Sequence, residues 1–238
     1  MDIISKFLST FGLQRPTDPG RVFSEIYRDQ RWGKSSTDGE PFFSGSGSRT
    51  GSVIEPYISS VREFMGRFPS PPSVVDLGCG DFHVGKRLRD LCSSYVACDV
   101  VPELIEYNRT KFQDLDVDFR VLDMTRESPP KADIVFFRQV FQHLSNELIN
   151  DALIRIQSRF QYIIVTEHIP SDPSAQMNLD KPIGANIRLD VQSGVDISKE
   201  PFGLQHLKQE RLCQVQGTGS GGLIVTTCYE IGKSVGIA

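Results

Sequence analysis

An acid and two glycines, with a spacing that could form a ligand-binding turn, lie at residues 76–80, which have the sequence Asp-Leu-Gly-Cys-Gly. The apolar Val74 and Val75 precede them, as in a buried parallel strand that ends in a tight turn. Glycines at this turn allow backbone angles that a Cβ atom would forbid, and they let a ligand approach the main chain closely. A helix is expected to begin near Phe82, with its unpaired N–H groups pointing into the same crevice. The stretch predicts a cradle for a nucleotide cofactor.

Further polar residues follow three other apolar stretches that read as strands. Asp99 ends the stretch 95–99, Asp123 ends the alternating stretch 117–123, and Arg138 and Gln139 follow the stretch 132–137. Carboxyl ends of parallel strands face one ligand crevice, and a ribose-binding acid is expected there about 20 residues beyond a glycine turn. Asp99 fits that place, although an N-cap for the helix opened by Pro102 explains it as well.

The type of cofactor depends on the position three residues after the second glycine. A dinucleotide fingerprint requires a third glycine there, and this chain has His83. Asp76 is also poorly suited to a pyrophosphate, because both are negatively charged. It suits a cationic ligand, such as the amino and sulfonium groups of S-adenosylmethionine.

Three motifs carry a resemblance to a known family. The glycine turn resembles the first motif of the class I S-adenosylmethionine-dependent methyltransferases, and residues 138–145 resemble their fourth-strand motif. Ile26-Tyr27, Trp32-Gly33 and the Ser/Gly run at 44–48 are similar to the N-terminal segment of bacterial methyltransferases found among polysaccharide-biosynthesis proteins. The resemblance implies an α/β fold with a Rossmann-like, seven-stranded, mostly parallel sheet. A C-terminal antiparallel hairpin would close the sheet, helices would cover both faces, and an N-terminal helical lid would be present.

The resemblance also implies roles for individual residues. Asp123 would accept the adenine amino group, and Met124 would cover the ring. Phe82 departs from the family pattern, since many members have glycine there, and this puts in doubt how the methionine end is held. The residues assigned to S-adenosylmethionine are Trp32, Asp76, Leu77, Gly78, Cys79, Gly80, Asp99, Val100, Asp123, Met124, Arg138 and Gln139.

Candidate catalytic residues follow from the chemistry of methyl transfer. The reaction is an in-line displacement, so alignment of the nucleophile in a water-excluding site supplies much of the catalysis. A hydroxyl acceptor also benefits from a base, and His143 is the first candidate because its ordinary pKa lies near neutrality. His168 and Glu167 are the second candidates, and each histidine has a plain structural role as its alternative. Gln142, Lys181 and Arg188 are the candidate substrate-binding residues.

Composition excludes several other classes of function. The chain has 238 residues, a net charge of −4 and no block of lysine or arginine, so a nucleic-acid partner is not expected. No apolar stretch is long enough to span a bilayer. Five cysteines without a CxxC pair indicate reduced thiols in the cytoplasm. No metal is predicted, because the spacing of Asp180, Asp190 and Glu167 does not require one. The oligomeric state stays open, a homodimer included.

The chain divides into two predicted parts. Residues 1–50 would hold a short amphipathic helix around Ile3, Phe7 and Phe11, a linker at 15–20, a second short helix at about 22–30 and a Gly/Ser-rich lid. For the lid, a surface loop pinned by its aromatic residues is the alternative. Residues 51–238 would form the methyltransferase domain. Within it, the sequence predicts a core helix over 53–68, a strand over 161–166 with Glu167 and His168 beyond its end, an irregular substrate-side insertion at about 169–202, and a hairpin of 207–216 with 223–231.

The function predicted from these motifs is O-methylation of a hydroxyl on a sugar, a nucleotide sugar or a glycan. A small natural product or a phosphorylated metabolite is the alternative acceptor. A nicotinamide-dependent oxidoreductase and a cofactor-binding module without catalysis are the alternatives from other classes.

Overall fold

The computed structural model describes residues 18–34, 39–219 and 221–231. Within these ranges the helices are α1 (Pro19–Arg28), α2 (Gly51–Met65), α3 (Pro102–Lys111) and α4 (Asn146–Ile156). The strands are β1 (Ser73–Leu77), β2 (Ser94–Asp99), β3 (Asp118–Val121), β4 (Ile134–Arg138), β5 (Tyr162–Ile169), β6 (Lys208–Gln216) and β7 (Leu223–Glu230).

All seven strands form one sheet in the order β3-β2-β1-β4-β5-β7-β6. The first five strands are parallel, and β7 runs antiparallel to both β5 and β6. The predicted fold class is therefore confirmed. The strand order reverses at β1, which lies between β2 and β4. In open α/β sheets, ligands bind outside the carboxyl ends of the strands at such a reversal.

Alternate residues of β1 serve the two faces of the sheet. Val74 belongs to a core cluster that includes the buried side of α2, and Val75 and Leu77 belong to a second cluster that includes the buried side of α4. The two apolar faces fix the register of β1 against its neighbours, because a slip of one residue would move every β1 side chain to the opposite face of the sheet. This register leaves Asp76 and the glycine turn at the carboxyl edge.

The helix expected near Phe82 is not formed, and this prediction was wrong. Residues 81–93, all described, contain only the 3-10 turns Gly85–Arg87 and Arg89–Leu91. Phe82 has φ +55° and buries its ring against Tyr95, Phe112 and Phe119. A Cβ atom at Gly85 would lie 2.4 Å from the Phe82 ring, so the glycine makes room for it. Left-handed backbone at Phe82 is incompatible with a helix start.

The remaining helices and strands match those predicted from the sequence, with three exceptions. The predicted helix near residues 22–30 appears as α1, but it begins at Pro19 with Asp18 as N-cap, so the predicted linker ends earlier. The amphipathic helix predicted around Ile3, Phe7 and Phe11 lies outside the described residues. β5 runs through Glu167 and His168 rather than ending before them, because β7 pairs along its whole length.

The segment between β5 and β6 is irregular over its entire described length. Residues 170–207 contain the four-residue 3-10 helix Arg188–Val191 and no α-helix. No helix among the described residues is both long and apolar enough to cross a membrane.

Candidate active site

A cavity of about 320 Å³ lies at the carboxyl edge of the sheet. Three acids line it: Asp76 is the second-to-last residue of β1, Asp99 ends β2, and Asp123 follows β3. The predicted cofactor residues that line the cavity are Trp32, Asp76, Gly78, Cys79, Gly80, Asp99, Val100, Asp123, Met124, Arg138 and Gln139. Leu77 is the exception, because its side chain is fully buried in the core beneath the turn.

The glycine turn forms the floor of the cavity. Gly78 and Gly80 have φ of +79° and +56°, which glycine adopts without steric cost. A Cβ atom at Gly78 would lie 2.6 Å from Val140 Cγ2, and one at Gly80 would lie 2.5 Å from Ser44 Oγ. Both glycines are thus required by backbone angle and by space.

Asp99 fixes this turn and is itself buried. Its Oδ2 accepts the Gly80 N–H at 3.0 Å, and its Oδ1 accepts the Val101 N–H at 3.2 Å. Asp76 accepts a hydrogen bond from the Tyr95 hydroxyl at 2.9 Å. Burial raises the pKa of both carboxyls to about 6, although these hydrogen bonds act in the opposite direction. A cation in the cavity would favour the ionised form of both groups.

Asp123 lies at the outer end of the cavity beside Met124 and Thr125. Its Oδ1 accepts the backbone N–H and the hydroxyl of Thr125, at 2.9 and 2.7 Å. Its Oδ2 lies 3.5 Å from Arg126 Nε. The carboxylate is therefore held in place by its own turn and faces the cavity beyond β3.

A strap formed by residues 44–49 crosses the glycine turn, and sequence reasoning missed the residue that holds it. Asp81 is buried, and its Oδ2 accepts the Ser44 N–H at 3.1 Å and an Arg49 N–H at 3.0 Å. Ser44 Oγ in turn accepts the Asp81 N–H and bonds the Tyr27 hydroxyl. Arg138 donates to the Gly47 carbonyl at 2.8 Å. The one available signal was an acid directly after the glycine turn.

His143 lies in the cavity wall under an aromatic group. Its ring centroid is 5.0 Å from that of Trp32 and 6.5 Å from that of Phe23. Its Nδ1 is 3.2 Å from the Gly184 carbonyl oxygen, which can only accept, so Nδ1 carries the proton. Its Nε2 is then an acceptor and faces the Gln142 amide nitrogen at 3.3 Å. Burial, and next the charge of Lys181, lower the pKa of His143 to about 4, so the ring is neutral at pH 7.

Three of the predicted catalytic and substrate-binding residues do not line the cavity, which corrects their expected roles. Glu167 is buried, and its two oxygens accept the N–H groups of residues 140, 141 and 142 instead of facing a ligand. Arg188 is fully buried and bonds the carbonyls of Leu144 and Leu179. Lys181 donates to the Pro182 carbonyl at 2.6 Å and to that of His143 at 3.5 Å. These contacts leave no support for Glu167 as a base or for the two cations as substrate contacts.

The other two candidates do line the cavity. Gln142 is buried, and its Oε1 atom has no hydrogen-bond partner in the described part of the chain. A buried unpaired acceptor is costly unless a ligand or water satisfies it, so Gln142 is a candidate ligand contact. His168 bonds the Gly221 carbonyl through Nε2 and thereby ties the turn between β6 and β7 to β5. Its second ring nitrogen is the only one left for a ligand.

The described residues do not form a cluster of side chains that could bind a metal ion. No group of three or more His, Cys, Asp or Glu side chains with suitable geometry occurs among the described residues.

Comparisons with known proteins agree with this fold. Residues 74–160 match the family model described as a methyltransferase domain. The structure is similar to that of the N-methyltransferase NodS from Bradyrhizobium japonicum WM9 in complex with S-adenosyl-L-homocysteine, with TM-score 0.64 and 10% identity over 91% of this chain and 100% of that one. No curated protein matches by sequence.

Two further solved structures share the fold. Magnesium protoporphyrin IX methyltransferase ChlM from Synechocystis PCC 6803, with bound S-adenosylmethionine, has TM-score 0.56 and 15% identity over 91% of this chain and 99% of that one. The N-terminal domain of EvdMO1, in the presence of S-adenosylhomocysteine and D-fucose, has TM-score 0.54 and 14% identity over 89% and 97%.

The domain match begins at β1 and extends just beyond α4, so it contains the glycine turn, Asp99, Asp123 and His143. The fold is that of class I methyltransferases. The match to a methyltransferase domain, and the fold shared with structures that hold S-adenosylmethionine or S-adenosylhomocysteine, support an S-adenosylmethionine-dependent methyltransferase.

Proposed function

We propose that the cavity at the carboxyl edge holds S-adenosylmethionine and that the enzyme methylates a hydroxyl of a sugar or glycan. The main observation in support of this proposal is that three acids and a neutral imidazole line the same cavity. Asp99 receives the ribose hydroxyls, Asp123 and Met124 the adenine, and Asp76 the cationic methionine end. When bound, the cofactor supplies an electrophilic methyl group on a sulfonium.

The chain's own groups fit this ligand. A carboxylate has about four acceptor sites, and backbone N–H groups use only part of the capacity of Asp99, so two hydroxyls can be added. The glycines leave the turn without side chains where a ligand approaches closely. Asp76 is buried beside the turn, and burial raises its pKa to about 6 despite the charge of Arg138, so a positive charge in the cavity would favour its ionised form. A ligand ammonium supplies that charge.

His143 is proposed as the general base. The Gly184 carbonyl holds the proton on Nδ1, so the lone pair is on Nε2. A hydroxyl in the cavity reaches that lone pair by taking the place of the Gln142 amide nitrogen, which lies 3.3 Å from Nε2. Because burial lowers the pKa of the ring, it is fully in the basic form at neutral pH. Trp32 and Phe23 pack against the ring and shield part of it from solvent. The hydroxyl proton passes to Nε2 as the oxygen takes the methyl group, so charge is conserved. His168 is retained as the second candidate.

The lining of the cavity favours an uncharged acceptor. Among its described residues, Arg138 is the one arginine or lysine, and it is already bonded to the Gly47 carbonyl and lies over the Tyr57 ring. Lys181 and Arg188 are turned away from the cavity. Aromatic rings together with the unpaired Gln142 oxygen suit a ligand that has an apolar face and several hydroxyls. A sugar has both, and the EvdMO1 domain was solved in the presence of one.

The direct test uses methyl-labelled S-adenosylmethionine with three sets of acceptors: neutral glycosides and oligosaccharides, nucleotide sugars, and phosphorylated metabolites. Transfer to neutral hydroxyls, lost in His143→Ala, is expected. Transfer to phosphorylated metabolites alone would assign the alternative acceptor class. Binding of S-adenosylhomocysteine without transfer to any acceptor would instead indicate a binding module, and transfer only to protein or nucleic acid would refute the proposal.

A further inference from the structure

The turn that follows β4 carries the proposed base, and its backbone is held by buried charges from other elements. Residues 140–144 include the 3-10 turn Phe141–His143. The N–H groups of Val140 and Phe141 bond Glu167 Oε1 at 3.1 and 2.9 Å, and the N–H of Gln142 bonds Glu167 Oε2 at 3.1 Å. One carboxylate of β5 therefore satisfies three consecutive donors at the start of the turn.

The other end of the same turn is held by a buried arginine. Arg188, in the segment between β5 and β6, is fully buried and donates to the Leu144 carbonyl at 2.8 Å. It also donates to the carbonyl of Leu179. Burial raises the pKa of Glu167 to about 8 and lowers the pKa of Arg188, while the three N–H bonds to Glu167 and the attraction between the two side chains act in the opposite direction.

A third set of contacts fixes the imidazole itself. The Gly184 N–H donates to the His143 carbonyl at 3.0 Å, and the Gly184 carbonyl accepts from His143 Nδ1 at 3.2 Å. Gly184 and Arg188 belong to the same segment between β5 and β6. That segment therefore holds the backbone and the ring of His143 together, which sets the direction of Nε2.

We propose that Glu167 and Arg188 are positioning residues that fix the orientation of His143 toward the methyl acceptor. Glu167 holds the N–H groups that precede the histidine, Arg188 holds the carbonyl that follows it, and Gly184 orients the ring between them. Neither charged side chain contacts the ligand. This inference rests on the proposed function, in which His143 acts on the acceptor.

The two acceptor oxygens of Glu167 suggest a selective variant. Glu167→Gln keeps an oxygen for two of the N–H groups, and it places an amide NH₂ against the third. A donor facing a donor cannot bond, so the turn must shift at Gln142, the neighbour of the base. Arg188→Lys keeps the charge, but a single ammonium replaces the planar fork that reaches two carbonyls. Glu147→Gln is the matched control, because Glu147 is exposed in the first turn of α4 and undergoes the same chemical change.

The experiment measures orientation and activity separately. Imidazole ¹⁵N and ¹³C resonances of His143 are recorded in the full-length protein with S-adenosylhomocysteine bound, and kcat, KM and cofactor Kd are measured for each variant. Glu167→Gln and Arg188→Lys are expected to shift the His143 resonances and to lower kcat about tenfold to a hundredfold, with cofactor Kd within twofold. Glu147→Gln is expected to match the wild type in every readout.

Each result has a distinct meaning. Unshifted His143 resonances and unchanged kcat in a folded Glu167→Gln protein overturn the positioning role. If Glu167→Gln shifts the His143 resonances but His143→Ala leaves kcat unchanged, the positioning role is supported and His143 is refuted as the base. The two proposals can therefore fail separately. If neither variant folds, hydrogen exchange on the wild type decides. The amide protons of Val140, Phe141 and Gln142 must be protected at least as well as those of the neighbouring β4, and rapid exchange contradicts the inference.

Discussion

Asp99 is the residue whose replacement is expected to weaken cofactor binding most cleanly. In Asp99→Asn the backbone fold is kept, but only one of the two side-chain oxygens remains. The structure has Oδ1 and Oδ2 each accepting a backbone N–H, from Val101 and Gly80. An asparagine can serve only one of these donors, and its NH₂ group faces the other. It can also accept from only one ribose hydroxyl where the carboxylate accepts from two.

The size of the effect follows from the bond that is lost. A hydrogen bond to a charged acceptor contributes about 1.5–3 kcal/mol. Loss of one such bond corresponds to roughly a tenfold to 150-fold increase in Kd. Asp118→Asn is the control, because Asp118 begins the neighbouring strand, lies outside the cavity and is about half exposed (51%).

The assay is calorimetric titration of both variants with S-adenosylhomocysteine and with its 2′-deoxy analogue. If Asp99 receives the ribose, removal of the hydroxyl and substitution of the acid must be strongly non-additive, since each removes the same contact. Asp99→Asn with wild-type affinity, in a protein that remains folded, would refute the reasoning. Fully additive losses would place the hydroxyl elsewhere in the cavity.

Three further results are expected from the same site. Cofactor affinity should fall as pH drops below about 6, by up to about tenfold per pH unit for each carboxyl, because burial raises the pKa of Asp76 and Asp99 to about 6 and both act in the ionised form, Asp76 on the cationic end and Asp99 on the ribose hydroxyls. Calorimetry at pH 5, 6 and 7.5 checks this, and a flat profile would contradict it. His143→Ala should lower kcat by about 10²- to 10⁴-fold with Kd for S-adenosylhomocysteine within twofold, in steady-state assays with the acceptor identified by labelling. Gly78→Ala should lower stability by about 1–3 kcal/mol, through φ +79° and a Cβ atom 2.6 Å from Val140 Cγ2. Adding Val140→Ala should restore only the part of the lost stability that comes from the steric clash, as measured by thermal unfolding. Complete recovery would show that backbone strain at residue 78 contributes nothing.

The sheet was predictable because its signals are local. Residues 74–77 and 132–137 are apolar runs of strand length, and the acids that follow or end such runs must lie at the carboxyl edge of a parallel sheet. The closing hairpin was also predictable, since 217–222 is too short for a crossover between parallel strands. For the same reason Asp76, Asp99 and Asp123 could be placed around one cleft before any contact was known.

The region after the glycine turn was not predictable from local signals. Phe82 looks like a helical core residue, and its left-handed backbone follows only from the ring cluster with Phe112 and Phe119 that lies further along the chain. A cluster of this kind outweighs helix propensity. Phe82 thus has the type of backbone conformation that a glycine would give at this position.

The roles of the buried charges depended on contacts distant in sequence. Glu167 reads as a residue beyond a strand end, but pairing with β7 extends β5 past it and turns its carboxylate to the backbone of residues 140–142. Arg188 was a candidate substrate contact in the irregular insertion, yet it is fully buried and bonds the carbonyl of Leu144. Asp81 was passed over because nothing near it in the sequence indicates the strap that it holds.

The most direct test of the central claim is a crystal structure of the protein with S-adenosylhomocysteine bound. The account predicts ribose hydroxyls on the Asp99 carboxylate, adenine beside Asp123 and Met124, and the homocysteine end toward Asp76, with His143 facing the space beyond sulfur. A ligand seated elsewhere, or one that leaves Asp99 without a hydroxyl contact, would contradict it.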